Sequence, residues 1–152
     1  MNLQFCESIT GKQLDDFTRA SRCNNIYQTE AWANVKKEWT SKFVGMTCDG
    51  QLCGAAMILF RKLPLGMKLA YIPRGPIMDY DDPQQTAFFL TAIRRFCAKQ
   101  GAVECKFDPY LIIGSFDLDQ KEAAWNARSP IPQQLAKAKA HFAGYTKLIR
   151  SR

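Results

Sequence analysis

The Asp49-Gly50 pair restricts this chain's fold more than any other feature. Between two strand-length runs it favours a two-residue turn with positive φ at both positions, the turn whose twist matches that of the strands it joins. The runs on either side, Lys42 to Cys48 and Leu52 to Phe60, are accordingly predicted to pair as an antiparallel hairpin, with Cys48 opposite Gln51 and Cys53 opposite Met46. A Pro64-Leu-Gly66 turn then leads into a third strand, Met67 to Ile72, and the three strands form an antiparallel meander. The longest apolar run, Ala55 to Phe60, is strand-sized and far short of the roughly 18–20 residues that span a bilayer.

The flanking segments carry helix signals. Leu3 and Phe5 alternate with polar neighbours as a short first strand, and Thr10-Gly-Lys-Gln13 has the spacing of a capping box opening a helix to about Arg22, with Leu14 and Phe17 inward. A second helix is expected from Thr29 or Glu30, with Trp32, Val35 and Trp39 as its inner stripe. Pro73, Gly75 and Pro76 interrupt regular pairing before Asp82-Pro83-Gln84-Gln85, where an N-cap, a first-turn proline and a capping glutamine start the clearest helix. Its apolar face is Phe89, Ile93, Phe96 and Cys97, and Gly101 stands where a C-terminal cap belongs. Val103, Cys105 and Phe107 alternate as a further strand. From Pro109 to Ser129 the signals are mixed, with Leu111 to Ile113 in loop, and Pro132 to Ala143 reads as a last helix with Leu135, Ala138 and Phe142 inward, closed by Gly144. The class is α/β (α+β), a mixed, mostly antiparallel sheet flanked by helices, and the element order resembles the GNAT acyltransferase fold.

Composition bounds the function classes. The 152 residues are 47% hydrophobic, which suits one globular domain over 1–152 with no need of disulfide staples. Lys plus Arg exceeds Asp plus Glu by 21 to 14, a formal charge of +7 that favours a polyanionic partner. The charge is spread out, densest from Lys137 to Arg152. Six cysteines show no CxxC pair and the one histidine, His141, is remote from them, which argues against a zinc site; they read as reduced thiols used as small buried hydrophobes. The N-terminus lacks the pattern of a signal peptide, so a cytoplasmic location is expected. No P-loop, dinucleotide, metalloprotease or serine-hydrolase motif is present. The Gly-rich loop that would cradle the pyrophosphate of coenzyme A after the third meander strand is missing as well.

Three segments could carry chemistry. In Tyr27 to Lys36, a helical wheel places Lys36 about 40° from Trp32, inside the aromatic stripe, where its ammonium either snorkels past the rings or waits for an anion. In Pro73 to Asp79 two prolines and a glycine imply an extended, rigid backbone that could present Arg74 to a phosphate or carboxylate, with Asp79 as counter-charge or loop cap. In Lys106-Phe-Asp-Pro-Tyr110 a strand ends in Asp108, which either caps a turn or serves as a base or an orienting carboxylate.

Together these segments resemble the FemABX family of peptidoglycan bridge-forming aminoacyltransferases. The resemblance rests on Gln28 to Lys36 (Gln-Thr-x-x-Trp-Ala-x-Val-Lys), Tyr71 to Tyr80 (Tyr-x-x-Arg-Gly-Pro-x-x-Asp-Tyr) and Phe107-Asp108-Pro109. It implies two GNAT-like domains around a cleft and transfer of an amino acid from aminoacyl-tRNA to the stem-peptide amine of a peptidoglycan precursor, UDP-linked or carried on lipid II. It also implies membrane-surface association through the lipid-linked substrate, and no metal or redox cofactor. Lys36 is then directed at the precursor's phosphates, Trp32, Arg74 and Tyr71 join it in substrate binding, and Asp108 is the catalytic candidate, as base or amine-orienting carboxylate. Val103 stands where some relatives offer an aromatic contact. Gly144-Tyr145 marks the crossing into a second domain, which is absent here, so the chain is expected to be inactive alone. The alternatives are a single-domain, coenzyme-A-dependent N-acyltransferase and a non-catalytic tRNA- or RNA-binding module stacking bases on Tyr27, Tyr110 or Trp125.

Overall fold

The computed structural model describes residues 1–110. The chain divides into two units, Met1–Tyr110 and Leu111–Arg152. The segments expected from 111 to 129 and from Pro132 to Gly144, the basic C-terminal stretch, His141, Trp125 and the crossing at Gly144-Tyr145 lie outside the described residues.

In chain order the elements are β1 (Leu3–Cys6), α1 (Gly11–Ala20), α2 (Glu30–Val35), β2 (Thr40–Cys48), β3 (Gln51–Lys62), β4 (Lys68–Ile72), β5 (Ile77–Met78), α3 (Pro83–Lys99) and β6 (Ala102–Phe107). One sheet runs β1-β2-β3-β4-β6, with β5 pairing to β3. All its pairings are antiparallel except β4 with β6, which is parallel and spans the α3 crossover. The expected mixed, mostly antiparallel sheet is therefore present.

Local chemistry explains where the elements start and stop. Asp49 and Gly50 both have positive φ (49° and 86°), the turn their sequence favours. Thr10 Oγ1 accepts from Gln13 N–H at 3.1 Å and Gln13 Oε1 accepts from Thr10 N–H at 2.9 Å, closing the capping box of α1. Asp82 Oδ1 accepts from the N–H groups of Gln84 and Gln85 at the start of α3. The Gln85 side chain departs from the expected box, donating to Asp82 Oδ2 at 2.8 Å.

β3 is the axis of the core. Gly54 to Phe60 is buried without interruption, because the strand is covered on both faces. On one face Ala55, Met57 and Leu59 cluster with Leu14 and Ala33, flanked by Ile9, Phe17, Trp32, Trp39 and Phe43. On the other, Phe60 meets Phe96 and Phe5 meets both Phe89 and Phe96, with ring centroids 6.0–6.5 Å apart. Fully burying each large apolar side chain here stabilises the fold by about 1.5–3 kcal/mol.

Four expectations are corrected. The α2 helix stops at Val35, since Lys36 (φ −86°, ψ 51°) leaves helical geometry; Val35 is 63% exposed and Ala33 is the buried residue, so Trp32, Val35 and Trp39 do not form one stripe. The β2–β3 register shifts between Met46 and Thr47, so Met46 faces Gly54 while the Cys53 thiol donates to the Met46 carbonyl at 3.5 Å. Val103 falls at the register shift of the β4–β6 pair and is 63% exposed. Of the six free cysteines only Cys97 is buried.

Candidate functional site

The Pro73–Tyr80 segment is folded back on itself. Arg74 takes a left-handed conformation (φ 51°), the Gly75-Pro76 bond is cis, and Ile77–Met78 return to the edge of β3 as β5. Tyr80 Oη donates to the Pro76 carbonyl at 2.7 Å. The backbone expected to be extended is therefore a tight loop, and Asp79 caps it by accepting from Asp81 N–H at 2.9 Å.

A residue that the motif reading did not weigh holds this loop. Gln28 is fully buried. Its Nε2 donates to the Pro73 carbonyl at 2.7 Å and the Met57 carbonyl at 3.3 Å, while its Oε1 accepts from Met57 N–H at 2.7 Å. On this edge β4 pairs with β3 from Leu59 onward and β5 pairs at Gly54 and Ala55, so Met57 lies in the gap between the two partners. The side-chain amide fills that gap as a peptide group would, satisfying a buried donor and acceptor that no strand reaches. Gly75 is required beside it: a Cβ there would lie 2.6 Å from Gln28 Cδ. Asn25 Nδ2 adds a bond to the Arg74 carbonyl at 3.1 Å.

Asp108 follows β6 directly. The parallel register sets Ile72 beside Phe107, so the next residues, Pro73 and Asp108, leave the sheet side by side. Asp108 Oδ1 accepts from Tyr71 Oη at 3.1 Å and from Arg74 N–H at 3.0 Å, and Oδ2 lies 3.7 Å from Arg74 Nε. Asp108, and not Asp79, is thus the counter-charge of Arg74. Burial pushes the Tyr71 hydroxyl above its ordinary pKa and the bond to Asp108 adds to the shift, while Arg74 opposes it. The Asp108 side chain remains 45% exposed, so an N–H donor or a cation in solvent can reach the carboxylate.

Lys36 and Trp32 form a second group. The Lys36 ammonium sits 5.3 Å from the Trp32 ring centroid, and Tyr27 meets the same indole edge-on at 4.8 Å. Both groups are supported by the segment 25–28, through Tyr27 on one side and Asn25 and Gln28 on the other. The sequence thus found every polar member of each group except Asn25 and Gln28, whose roles depend on partners 29 to 49 residues away.

The α3 N-terminus bears on the coenzyme A alternative. Pro83 has no N–H, Gln84 and Gln85 donate to Asp82 Oδ1, and Thr86 donates to the Asp82 carbonyl at 3.0 Å. A helix start holds a phosphate through its unsatisfied N–H groups, and here the protein's own carboxylate occupies them. Among the described residues no group of three or more His, Cys, Asp or Glu is placed to hold a metal ion.

The profile of the FemAB family matches residues 9–151. A lipid II:glycine glycyltransferase of Staphylococcus haemolyticus (strain JCSC1435) is 31% identical over 105 residues, covering 67% of this chain and 25% of that protein. Its counterpart in Staphylococcus aureus (strain MRSA252) is 30% identical over 104 residues, 66% of this chain and 25% of its own. The chain thus spans about a quarter of the length of these relatives. The crystal structure of FemX matches 85% of this chain with 31% of its own, at a TM-score of 0.64 and 26% identity. A ribosomal-protein-alanine N-acetyltransferase from Brucella melitensis biovar Abortus 2308 matches 83% of this chain and 90% of its own, at a TM-score of 0.51 and 9% identity, a likeness of fold alone. The fold is that of the GNAT acyltransferases.

Proposed function

The chain belongs to the FemAB family, and on that premise we propose that it supplies one wall of an aminoacyltransferase that builds peptidoglycan cross-bridges. The observation that carries this reading is the convergence of Tyr71, Arg74 and Asp108 at the open ends of β4 and β6. The acceptor is a stem-peptide amine of a peptidoglycan precursor, UDP-linked or lipid-linked, and the donor is an aminoacyl-tRNA. The amine nitrogen attacks the ester carbonyl, a C–N bond forms, the C–O bond to the tRNA ribose breaks, and the amine's proton ends on the released ribose hydroxyl. Positioning the two substrates supplies much of the acceleration, and donors to the developing oxyanion supply the rest.

Asp108 suits the orienting role. Its oxygens already accept from Tyr71 and Arg74, which fixes the carboxylate's direction while its exposed side takes an ammonium or amine N–H. Lys36, held over Trp32, offers a compact cation to the precursor's phosphates. Arg74 and Tyr71 act mainly by holding Asp108. We place the reaction in the cytoplasm, where charged tRNA is available, and assign the other wall of the cleft to a second GNAT-like domain. The coenzyme A reading is disfavoured by the occupied α3 N-terminus.

Equilibrium binding tests the assignment. Titrating the chain with a UDP-linked muramyl pentapeptide should quench tryptophan fluorescence saturably, and Lys36→Ala should raise Kd about tenfold, the loss of one charge-assisted contact. In a two-domain enzyme the same substitution should raise KM for the precursor. Absence of saturable quenching, or an unchanged Kd in Lys36→Ala, would overturn the assignment.

A further inference from the structure

The β3–β4 hairpin carries an apolar tip that its own fold does not use. Strand pairing ends at Lys62 opposite Lys68, and Leu63 N–H donates to the Met67 carbonyl at 2.9 Å to close the turn. Beyond that bond Leu65 is 94% exposed and Met67 36%, with Pro64 and Gly66 also exposed. Leu65 holds a left-handed backbone (φ 62°), a conformation suited to glycine or asparagine and costly for a leucine. A branched apolar residue here gains no burial within the protein and strains its own backbone. An apolar environment outside the protein that receives Leu65 together with Met67 would offset both costs.

The surroundings specify what that something is. Arg61 and Lys62 are exposed and Lys68 half-buried at the base of the same tip. From residue 50 to 78 the sequence has Arg61, Lys62, Lys68 and Arg74 and no acidic residue. Of the acids beside this region, Glu104 opposite Leu69 has its carboxylate 3.6 Å from the Lys106 ammonium, and exposed Glu38, which precedes Trp39, follows Lys36 and Lys37 in sequence. Trp39 lies beneath the Arg61 guanidinium, 5.8 Å from it, and Val103 is exposed on the adjacent strand. An apolar point within a basic collar, with an aromatic ring behind it, complements an anionic bilayer: the tip enters the headgroup region while the cations meet lipid phosphates.

We propose that the Pro64–Met67 tip is a membrane-contact element that seats the protein on an anionic phospholipid surface. The contact is with the bilayer itself and stands apart from the transfer reaction, so it survives or fails independently of the function proposed above.

Co-sedimentation of the chain with phosphatidylglycerol/phosphatidylcholine vesicles, containing no peptidoglycan precursor, tests it. The chain should partition onto these vesicles, weakly onto pure phosphatidylcholine, and less as salt rises. Replacing both Leu65 and Met67 with Ser should lower partitioning about tenfold or more at unchanged circular dichroism, as expected for removing two inserted apolar side chains. Leu65→Gly separates this role from a structural one: glycine fits the left-handed backbone, so the melting temperature should hold or rise while vesicle binding falls. Failure to bind anionic vesicles would overturn the proposal, as would binding unchanged in the Ser double variant, whatever protein or RNA the hairpin then proves to touch.

Discussion

Replacing Gln28 by methionine tests whether one side-chain amide holds the candidate site to the sheet. The substitution nearly preserves volume and removes all three hydrogen bonds, leaving Met57 N–H, the Met57 carbonyl and the Pro73 carbonyl without their partner in a fully buried setting. Each such group costs about 1–3 kcal/mol when orphaned. The bond to the Met57 carbonyl is long at 3.3 Å, and the variant no longer has to bury an amide. The lower end of the range therefore applies to each group, and the sum is about 3 kcal/mol. With an m-value of about 2 kcal/mol/M, the urea midpoint followed by tryptophan fluorescence should fall by roughly 1.5 M. A structural glutamine that merely fills space would behave differently: methionine fills the same space, so a loss under about 1 kcal/mol would refute the reasoning. The same variant frees the Pro73 end of the loop, so the Tyr71 hydroxyl should move back toward its ordinary pKa.

Two further outcomes follow from the geometry. Tyr71 titrates above its ordinary value, so its stabilising contribution is complete below about pH 10 and is lost as pH rises through the raised value. Absorbance titration near 295 nm should show one tyrosine returning toward the ordinary range in Asp108→Asn, and no change would remove the assigned bond. The thiols of Cys97 and Cys105 lie 3.7 Å apart. Donation to Cys105, reinforced by burial, pushes Cys97 up, while accepting that bond pulls Cys105 down. Iodoacetamide should therefore label Cys105 before Cys97, and diamide should join the two with loss of two hydrogens, seen by peptide mass mapping and absent in Cys105→Ser.

What could be read from the sequence was whatever neighbouring residues decide among themselves. The Asp49-Gly50 turn, the Thr10 box and the Asp82 cap each depend on atoms a few residues apart, and each formed where expected. The misplacements of Val35 and Val103 share one cause, a periodicity carried past the point where tertiary structure ends it. Trp32 and Trp39 both pack beside the core, but the chain between them turns, with Trp39 N–H bonded to the Lys36 carbonyl at 2.9 Å, so the helical rule does not place Val35 between them. Val103 fits an alternating strand pattern until the shift opposite Lys68 and Leu69 turns it outward.

The candidate site divides along the same line. Lys36 lies over Trp32 because the two are one helical turn apart, a contact that survives the early end of α2: Lys36 N–H still reaches the Trp32 carbonyl at 3.1 Å. Its pairing was therefore legible even though the stripe used to argue for it does not exist. Asp108 could be recognised as a carboxylate at a strand end, but its partners could not, since Tyr71 and Arg74 are 37 and 34 residues away. They follow from a single non-local fact, the parallel register that sets Ile72 beside Phe107. Given that register, Asp108 must emerge beside Pro73. The left-handed Arg74 then turns its N–H toward the carboxylate, and Gln28 fixes the loop from the opposite side. The residue types of the site were written in three short motifs. Its geometry depends on one strand pairing and one buried amide, and although Gln28 opens one of those motifs, its partners Met57 and Pro73 lie 29 and 45 residues away, where no local pattern reports them.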